Sequence, residues 1–371
     1  MSINKLHITI LLGLAFVMLS SLVWWISADP TNTFSASVPG ADNPKEGSGA
    51  LEEIHIGEFF ERFARKSNEL EETWPGFRGE DFDNIYKPNR NLINNFTADQ
   101  GILWSVELGE GHAGAAIYKG LVYILDYDEE KRADVLNCIS LTTGEVIWQR
   151  WYNVNVKRNH GMSRTVPAVT DDYILTMGPR CHVMCVERET GDFLWGIDIE
   201  REYNSEVPLW YTGQCPLIVN DVAILATGGD ALLIGVDCKT GEKLWETPNP
   251  NEWKMSHSSV MPYEYQDQKM FVYAAVGGVC AVSAEKRDAG EMLWETSAFD
   301  HSVVAPAPVC MPDGKIFLTA GYGAGAMMLQ LQKVGDGFLV EILQEYKPSN
   351  GLACEQQTPI YFEGHLFGIL P

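Results

Sequence analysis

TGEVIW occupies residues 143–148, and the chain writes it again with small changes as TGDFLW (190–195), TGEKLW (240–245) and AGEMLW (289–294). Each copy sets a Gly ahead of a Trp at one fixed distance: Gly144 and Trp148, Gly191 and Trp195, Gly241 and Trp245, Gly290 and Trp294. Working outward, Trp104 precedes the first copy, and the five Trp residues follow one another at intervals of 44, 47, 50 and 49 residues. A weaker mark, GDGFLVEI, puts Val340 in the Trp place 46 residues later. Periods of this length signal propeller blades or helical arrays. The residues between the marks decide for blades. AAIYKGLVYILDY, PAVTDDYILTMG, PLIVNDVAILATGG and PIYFEGHLFGIL are β-rich runs broken by turn-forming pairs, which is the pattern of hairpins. A third strand, the Thr-Gly turn and a fourth strand bearing the Trp complete each period. The expected fold class is therefore all-β, a β-propeller of four-stranded antiparallel blades with about six in view.

The repeated pair has a physical reason. The Gly gives the turn between third and fourth strands a positive φ that other residues adopt only at a cost. The Trp then projects from the outermost strand at a constant distance, where neighbouring sheets bury it. At about 25 cal/mol per Å2, burying 150–250 Å2 of indole gains roughly 4–6 kcal/mol per joint before entropy.

The pattern resembles the pyrroloquinoline quinone (PQQ) repeat, whose mark is a small residue, a strand, then Thr-Gly-Lys/Glu-x-x-Trp; Asp237 stands where that motif has its Asp. The resemblance covers residues 74–371 and speaks to fold more than activity. The repeat serves quinoprotein dehydrogenases and also non-catalytic scaffolds such as BamB of the outer-membrane barrel assembly machinery. It implies seven or eight blades closed by a sheet shared between both chain ends. Trp104 would then lie on a fourth strand without its three partners, and GHLFGILP would end the chain in the second strand of a sixth blade. On that expectation the sequence is a carboxyl-terminally truncated piece.

Ahead of the repeats, residues 8–26 (ITILLGLAFVMLSSLVWWI) form a run without charge. At 1.5 Å per residue it makes roughly 28 Å of helix, the thickness of a bilayer core. Residues 1–28 are thus expected to be a signal anchor or signal peptide, with Trp24 and Trp25 at the interface favouring the uncleaved anchor. With Lys5 held inside, the remainder is exported, and the propeller is expected on the periplasmic side, tethered to the membrane by this helix. Residues 29–50 read as a flexible linker. Residues 51–72, with Phe59, Phe60, Phe63 and Leu70 among charges, predict an amphipathic helix. WPGFRG (74–79) opens the propeller, which is assigned 73–371.

Lys and Arg total 27 against 50 Asp and Glu, a net charge of −23, which repels a phosphate backbone and excludes nucleic acid as a partner. Cys138 and Cys185 occupy equivalent places in successive repeats, Gly235 fills that place in the next, and Cys280 lies in the matching strand of the one after. Small residues interchanging at one place suggest a tight buried position and core thiols in place of a disulfide framework.

The first strand of a blade lines the central channel. Aligning repeats on Ala115, Pro167, Pro216, Pro262 and Pro359 makes the residue three places earlier comparable: His112, Arg164, Gly213, Ser259 and Gln356, with Gln214, His257, His301 and Gln357 close by. This polar, mixed set is the candidate channel-mouth site for a small molecule or a peptide. A quinoprotein enzyme further implies PQQ with Ca2+, a carboxylate base and commonly two adjacent cysteines. No Cys-Cys pair occurs, and neither HExxH nor GxSxG is present. The sequence therefore assigns no catalytic, cofactor-binding or metal residue. It favours an exported scaffold with a protein or peptide partner over a PQQ-dependent dehydrogenase.

Overall fold

The computed structural model describes residues 5–27, 53–64, 70–87, 101–157, 162–335, 337–349 and 351–369. The linker expected over 29–50 lies outside them. The chain divides into two units, Met1–Glu46 and Gly47–Pro371. In the first, α1 (Lys5–Ser27) contains a segment, His7–Ser27, long and apolar enough to cross a membrane.

The second unit is built of antiparallel sheets. In the first sheet, β1 (Phe59–Arg62) joins β2 (Ala116–Tyr118), β3 (Leu121–Asp128), β4 (Ala133–Ser140) and β5 (Val146–Asn153) in the order β1-β5-β4-β3-β2. Four sheets of four sequential strands follow. They are β6 (Ala168–Val169), β7 (Tyr173–Met177), β8 (His182–Glu187) and β9 (Phe193–Asp198); then, after the short α2 (Ile199–Glu202), β10 (Leu217–Val219), β11 (Val222–Ala226), β12 (Ala231–Asp237) and β13 (Lys243–Pro248). Next come β14 (Met261–Tyr265), β15 (Gln268–Ala275), β16 (Gly278–Ser283) and β17 (Met292–Thr296), and β18 (Val309–Cys310), β19 (Lys315–Ala320), β20 (Gly325–Val334) and β21 (Gly337–Tyr346). The hairpin β22 (Ile360–Phe362) and β23 (His365–Phe367) ends the series.

The apolar core lies between sheets. One buried cluster joins Leu175, Cys185 and Trp195 of the second sheet to Leu225, Ile234 and Val236 of the third. Others join first to second, third to fourth and fourth to fifth. The turn glycines act as expected: Gly144, Gly191, Gly241 and Gly290 hold φ between +74° and +83°. Each also faces the preceding Trp of the series, which for Gly191, Gly241 and Gly290 stands on the preceding sheet. A Cβ on Gly241 would stand 2.7 Å from Trp195 Cγ, one on Gly191 3.0 Å from Trp148 and one on Gly144 2.7 Å from Trp104. The Trp of one blade therefore lies on the bare turn of the next. Trp195 Nε1 also donates to Cys238 O at 2.8 Å and Trp104 Nε1 to Leu141 O at 2.8 Å.

Directly across the ladder from each indole stands a small residue: Cys138 from Trp148, Cys185 from Trp195, Gly235 from Trp245 and Ala281 from Trp294. A register shift follows that residue in all four sheets, so a bulge recurs where the indole needs room. In the fourth sheet Cys280 lies one place from the slot and faces Glu295. All eight cysteines are free thiols, seven of them buried. Gly241→Ala is expected to destabilise the propeller by about 2–4 kcal/mol, from left-handed strain plus the clash with Trp195, read as a lowered urea midpoint.

Two expectations are corrected. Trp104 belongs to no strand among the described residues, although its ring occupies the Trp place; β2–β5 offer its turn to pack on but no neighbour to pair with. The helix expected over 51–72 contains β1 instead, paired with the outer edge of β5. Its phenylalanines alternate faces, as a strand requires: Phe59 stacks on Trp151 with ring centroids 5.6 Å apart, and Phe60 meets Trp148 at 6.1 Å. Open hydrogen-bonding groups on β5 favour pairing over a solvated helix. This segment also straps the first sheet to the second. Arg150 donates to Gly57 O at 2.7 Å and to Gly191 O at 2.6 Å, and Arg62 donates to Thr190 O at 2.6 Å.

WPGFRG runs across the inner strands. Trp74 exchanges backbone hydrogen bonds with Ile117 (2.7 and 2.8 Å), and Val169 N donates to Pro75 O at 2.8 Å. Arg78, only 6% exposed, donates to Phe82 O at 2.9 Å and to Thr358 O at 3.4 Å. Phe82 packs against the buried cluster shared by the third and fourth sheets. The segment is a hub laid across one end of the channel.

Candidate functional site

The inner ends of the sheets converge on one cavity of about 810 Å3. All five aligned residues, His112, Arg164, Gly213, Ser259 and Gln356, line it. The same register gives them the same height in every blade. Sequence reasoning missed the fifth sheet's member: Ala305 stands three residues before Pro308 and also lines the cavity, a signal masked by a second proline at Pro306. His257 and Gln357 are lining residues as well.

Two neighbours of the aligned set are not. Gln214 is fully buried and turned into the third sheet, where its amide donates to Ala226 O at 3.0 Å and accepts from Ala226 N at 2.8 Å. It replaces a strand partner for a backbone that has none there. Gln214→Ala is expected to cost about 2–5 kcal/mol by stranding both groups, measurable by denaturant unfolding. His301 packs edge-on against Phe299 at 4.6 Å and is outside the lining; partial burial lowers its pKa.

Hydrogen bonds run around the wall from sheet to sheet. His112 N donates to Ser163 O (2.7 Å), Val166 N to Cys215 Sγ (3.3 Å), Cys215 N to Ser259 Oγ (3.0 Å), His257 N to Val304 O (3.0 Å) and Ala307 N to Thr358 Oγ1 (2.9 Å). The wall is thereby held to a fixed shape. Burial pushes the Cys215 thiol up to about 11, so it stays a neutral acceptor. Phe77 of the hub is part of the lining.

Two aromatic rings that no repeat predicts, Trp210 and Tyr322, stack with His257 along one side. Trp210 stacks on Tyr322 at 5.7 Å and 23° and, on its other side, on His257 at 6.5 Å and 19°. The backbone holds this column under strain: Trp210, Tyr211 and Tyr322 have φ of 62°, 71° and 56°, a region bulky residues avoid. Trp210 lies in the long connection from β9 to β10, and Tyr322 in the β19–β20 turn. Neither position recurs in the repeats, so no periodic signal marks it. Burial depresses His257 to about 4, helped by the Arg164 charge and opposed by the Tyr211 and Leu209 carbonyls, which makes it a neutral imidazole at physiological pH. Burial also lowers Arg164, opposed by Tyr211. Glu355, Gln356 and Gln357 are exposed on the lining.

The group that the repeat implies was tested against these residues. Among the described lining residues Glu355 is the one carboxylate, and no group of three or more His, Cys, Asp or Glu side chains among the described residues is placed to hold a metal ion. The donor set does not fit PQQ with Ca2+. A second hollow, of about 630 Å3, lies on the first sheet among Glu107, Glu110, Asp126, Asp128, Glu129 and Glu130, and burial raises Asp126 against the bonds it accepts from Gly109 and Asn137.

Four-stranded sheets packed by repeated indoles around a channel crossed by a hub define a β-propeller of the PQQ-repeat class. The family model described as outer membrane protein assembly factor BamB matches residues 131–329, and the chain belongs to that family. Among solved structures it is similar to BamB from Moraxella catarrhalis, at 18% identity and a TM-score of 0.46, covering 71% of this chain and 68% of that one. It is also similar to quinohemoprotein alcohol dehydrogenase from Comamonas testosteroni, at 13% identity and a TM-score of 0.45, covering 80% of this chain. A third likeness is the quinohemoprotein alcohol dehydrogenase ADHIIG from Pseudomonas putida HK5, at 15% identity and a TM-score of 0.38, covering 61% of this chain. The chain spans 52% and 45% of those two dehydrogenases. No curated protein matches.

Proposed function

We propose that the protein is an exported, membrane-tethered propeller that binds and does not catalyse: a scaffold meeting a protein or peptide through its acidic exterior, with a ligand cavity at its centre. The observation that carries this is the composition of the cavity. An 810 Å3 hollow lined by an aromatic column, carboxamides, hydroxyls, the Arg164 guanidinium and one carboxylate has the concave, partly apolar character of a binding site. It brings no nucleophile beside a base. Burial keeps His257 neutral and Cys215 protonated, so neither is activated. α1, long and apolar enough to span a bilayer, supports the tether, and a propeller held on the periplasmic side accords with it.

Full-length protein titrated with PQQ and Ca2+ is expected to show no bound-quinone absorbance and no reduction of an electron-accepting dye with alcohols. Stoichiometric uptake with turnover would overturn the reading in favour of a quinoprotein oxidoreductase.

A further inference from the structure

We infer that the central cavity takes a neutral pyranose saccharide, stacked on Tyr322 and Trp210 and hydrogen-bonded by Gln356, Gln357 and Ser259. The inference rests on the non-catalytic reading of the same cavity and names its ligand class.

The aromatic column is the first reason. A pyranose ring presents a flat patch of C–H groups on one face and hydroxyls around its edge. Its natural counterpart is an exposed aromatic face with polar groups beside it. Tyr322 is 60% exposed, and Trp210 fixes its ring plane from behind by stacking, with His257 behind Trp210. A core aromatic would be covered, yet here strained backbone at Trp210, Tyr211 and Tyr322 holds a large ring out into a hollow.

Polarity is the second reason. Gln356 and Gln357 are exposed carboxamides, each with two donors and an acceptor, suited to adjacent hydroxyls. Behind them His257 is neutral, and its Nδ1 is buried without a hydrogen-bond partner among the described residues, on a ring that lines the cavity.

Charge is the third reason, and it decides against an acidic glycan. The chain carries −23 overall, and on the wall Glu355 offsets the Arg164 guanidinium, so a polyanion meets repulsion from the exterior and no net positive charge in the cavity. The volume lies within the roughly 300–1,000 Å3 of small-molecule sites and holds more than one sugar ring.

The test uses full-length protein in a polyoxyethylene detergent, since alkyl glycosides would compete. Maltotriose, cellotriose, chitotriose, trigalacturonate and a neutral tripeptide are titrated by calorimetry and by Trp fluorescence. At least one neutral trisaccharide is expected to bind and to shift the Trp emission. Tyr322→Ala should weaken it about tenfold, Tyr322→Phe should retain it, and Gln357→Ala should weaken it about threefold. Thermal unfolding of Tyr322→Ala should match the wild type, because the ring lies outside the core. Binding of none of the neutral sugars, tighter binding of trigalacturonate or of the tripeptide, or indifference to Tyr322→Ala would each overturn the inference. Those outcomes leave the scaffold reading standing, which fails only on quinone uptake and dye reduction.

Discussion

Replacing Asp134 with Asn is expected to remove about 4 kcal/mol of pH-dependent destabilisation, the gap between wild type and variant opening as pH rises from about 4 to about 7. Asp134 lies on β4 opposite Tyr152 and is 1% exposed. It accepts hydrogen bonds from Ser163 Oγ at 2.7 Å and Tyr152 Oη at 3.1 Å. Burial pushes its carboxyl from 3.8 up to about 7, those two bonds opposing the rise and Asp126 adding to it. The sign follows from the folded state holding the proton more tightly. Below about pH 4 the group is protonated in both states and costs nothing. Between about 4 and 7 only the unfolded chain ionises, so stability falls, and above 7 the full penalty applies. Asn carries no charge to bury, so urea midpoints of Asp134→Asn should lie near the wild type at pH 4.5 and well above it at pH 8. A difference constant across that range would mean Asp134 is ionised throughout. The cavity feels this group directly, since Ser163, which donates to Asp134, also accepts the His112 N–H.

Trp148→Ala is expected to cost about 3–5 kcal/mol, the range for truncating a fully buried aromatic. Trp148 is 0% exposed, wedged among Tyr123, Phe60 and the Gly191 turn, so its loss opens a cavity shared by the strap and two sheets. Trp104→Ala is the internal comparison. Its ring makes the same contact with Gly144 but is half-buried and joins no ladder, so the loss should be about 1–2 kcal/mol. Equal costs would show that the turn contact, and not burial between sheets, carries the energy. Denaturant unfolding of both variants in one buffer makes the comparison.

The repeat was legible because one packing solution is used several times. Gly144, Gly191, Gly241 and Gly290 needed a positive φ, and the small residue opposite each Trp needed to be small, so both left periodic marks. The aligned wall residues were legible for the same reason, since equal offset from a proline means equal height in a blade. What occurs once left no such mark. Trp210 and Tyr322 sit on a connection and a turn with no counterpart in other blades, and they make up most of the site's aromatic face. Gln214 follows a wall position and His301 stands four residues before Ala305, but both lie in connections without the strand's regular alternation, where Gln214 turns to Ala226 and His301 to Phe299. Phe59, Phe60 and Phe63 have spacing that fits a helix turn as well as a strand, and only the open edge of β5 decides between them.

The bond from Arg78 to Thr358 joins groups 280 residues apart, and it makes the hub's enclosure depend on strands far along the chain. The hub precedes β2 to β23 in the chain, while its acceptors and neighbours come from one sheet after another, with Thr358 lying beyond the fifth sheet. Until those strands are in place Arg78 and the hub aromatics have nothing to enclose them, and each new inner strand then closes around them like a stave around a hoop. Such distant pairing slows folding and leaves apolar surface exposed until the last inner strands are in place.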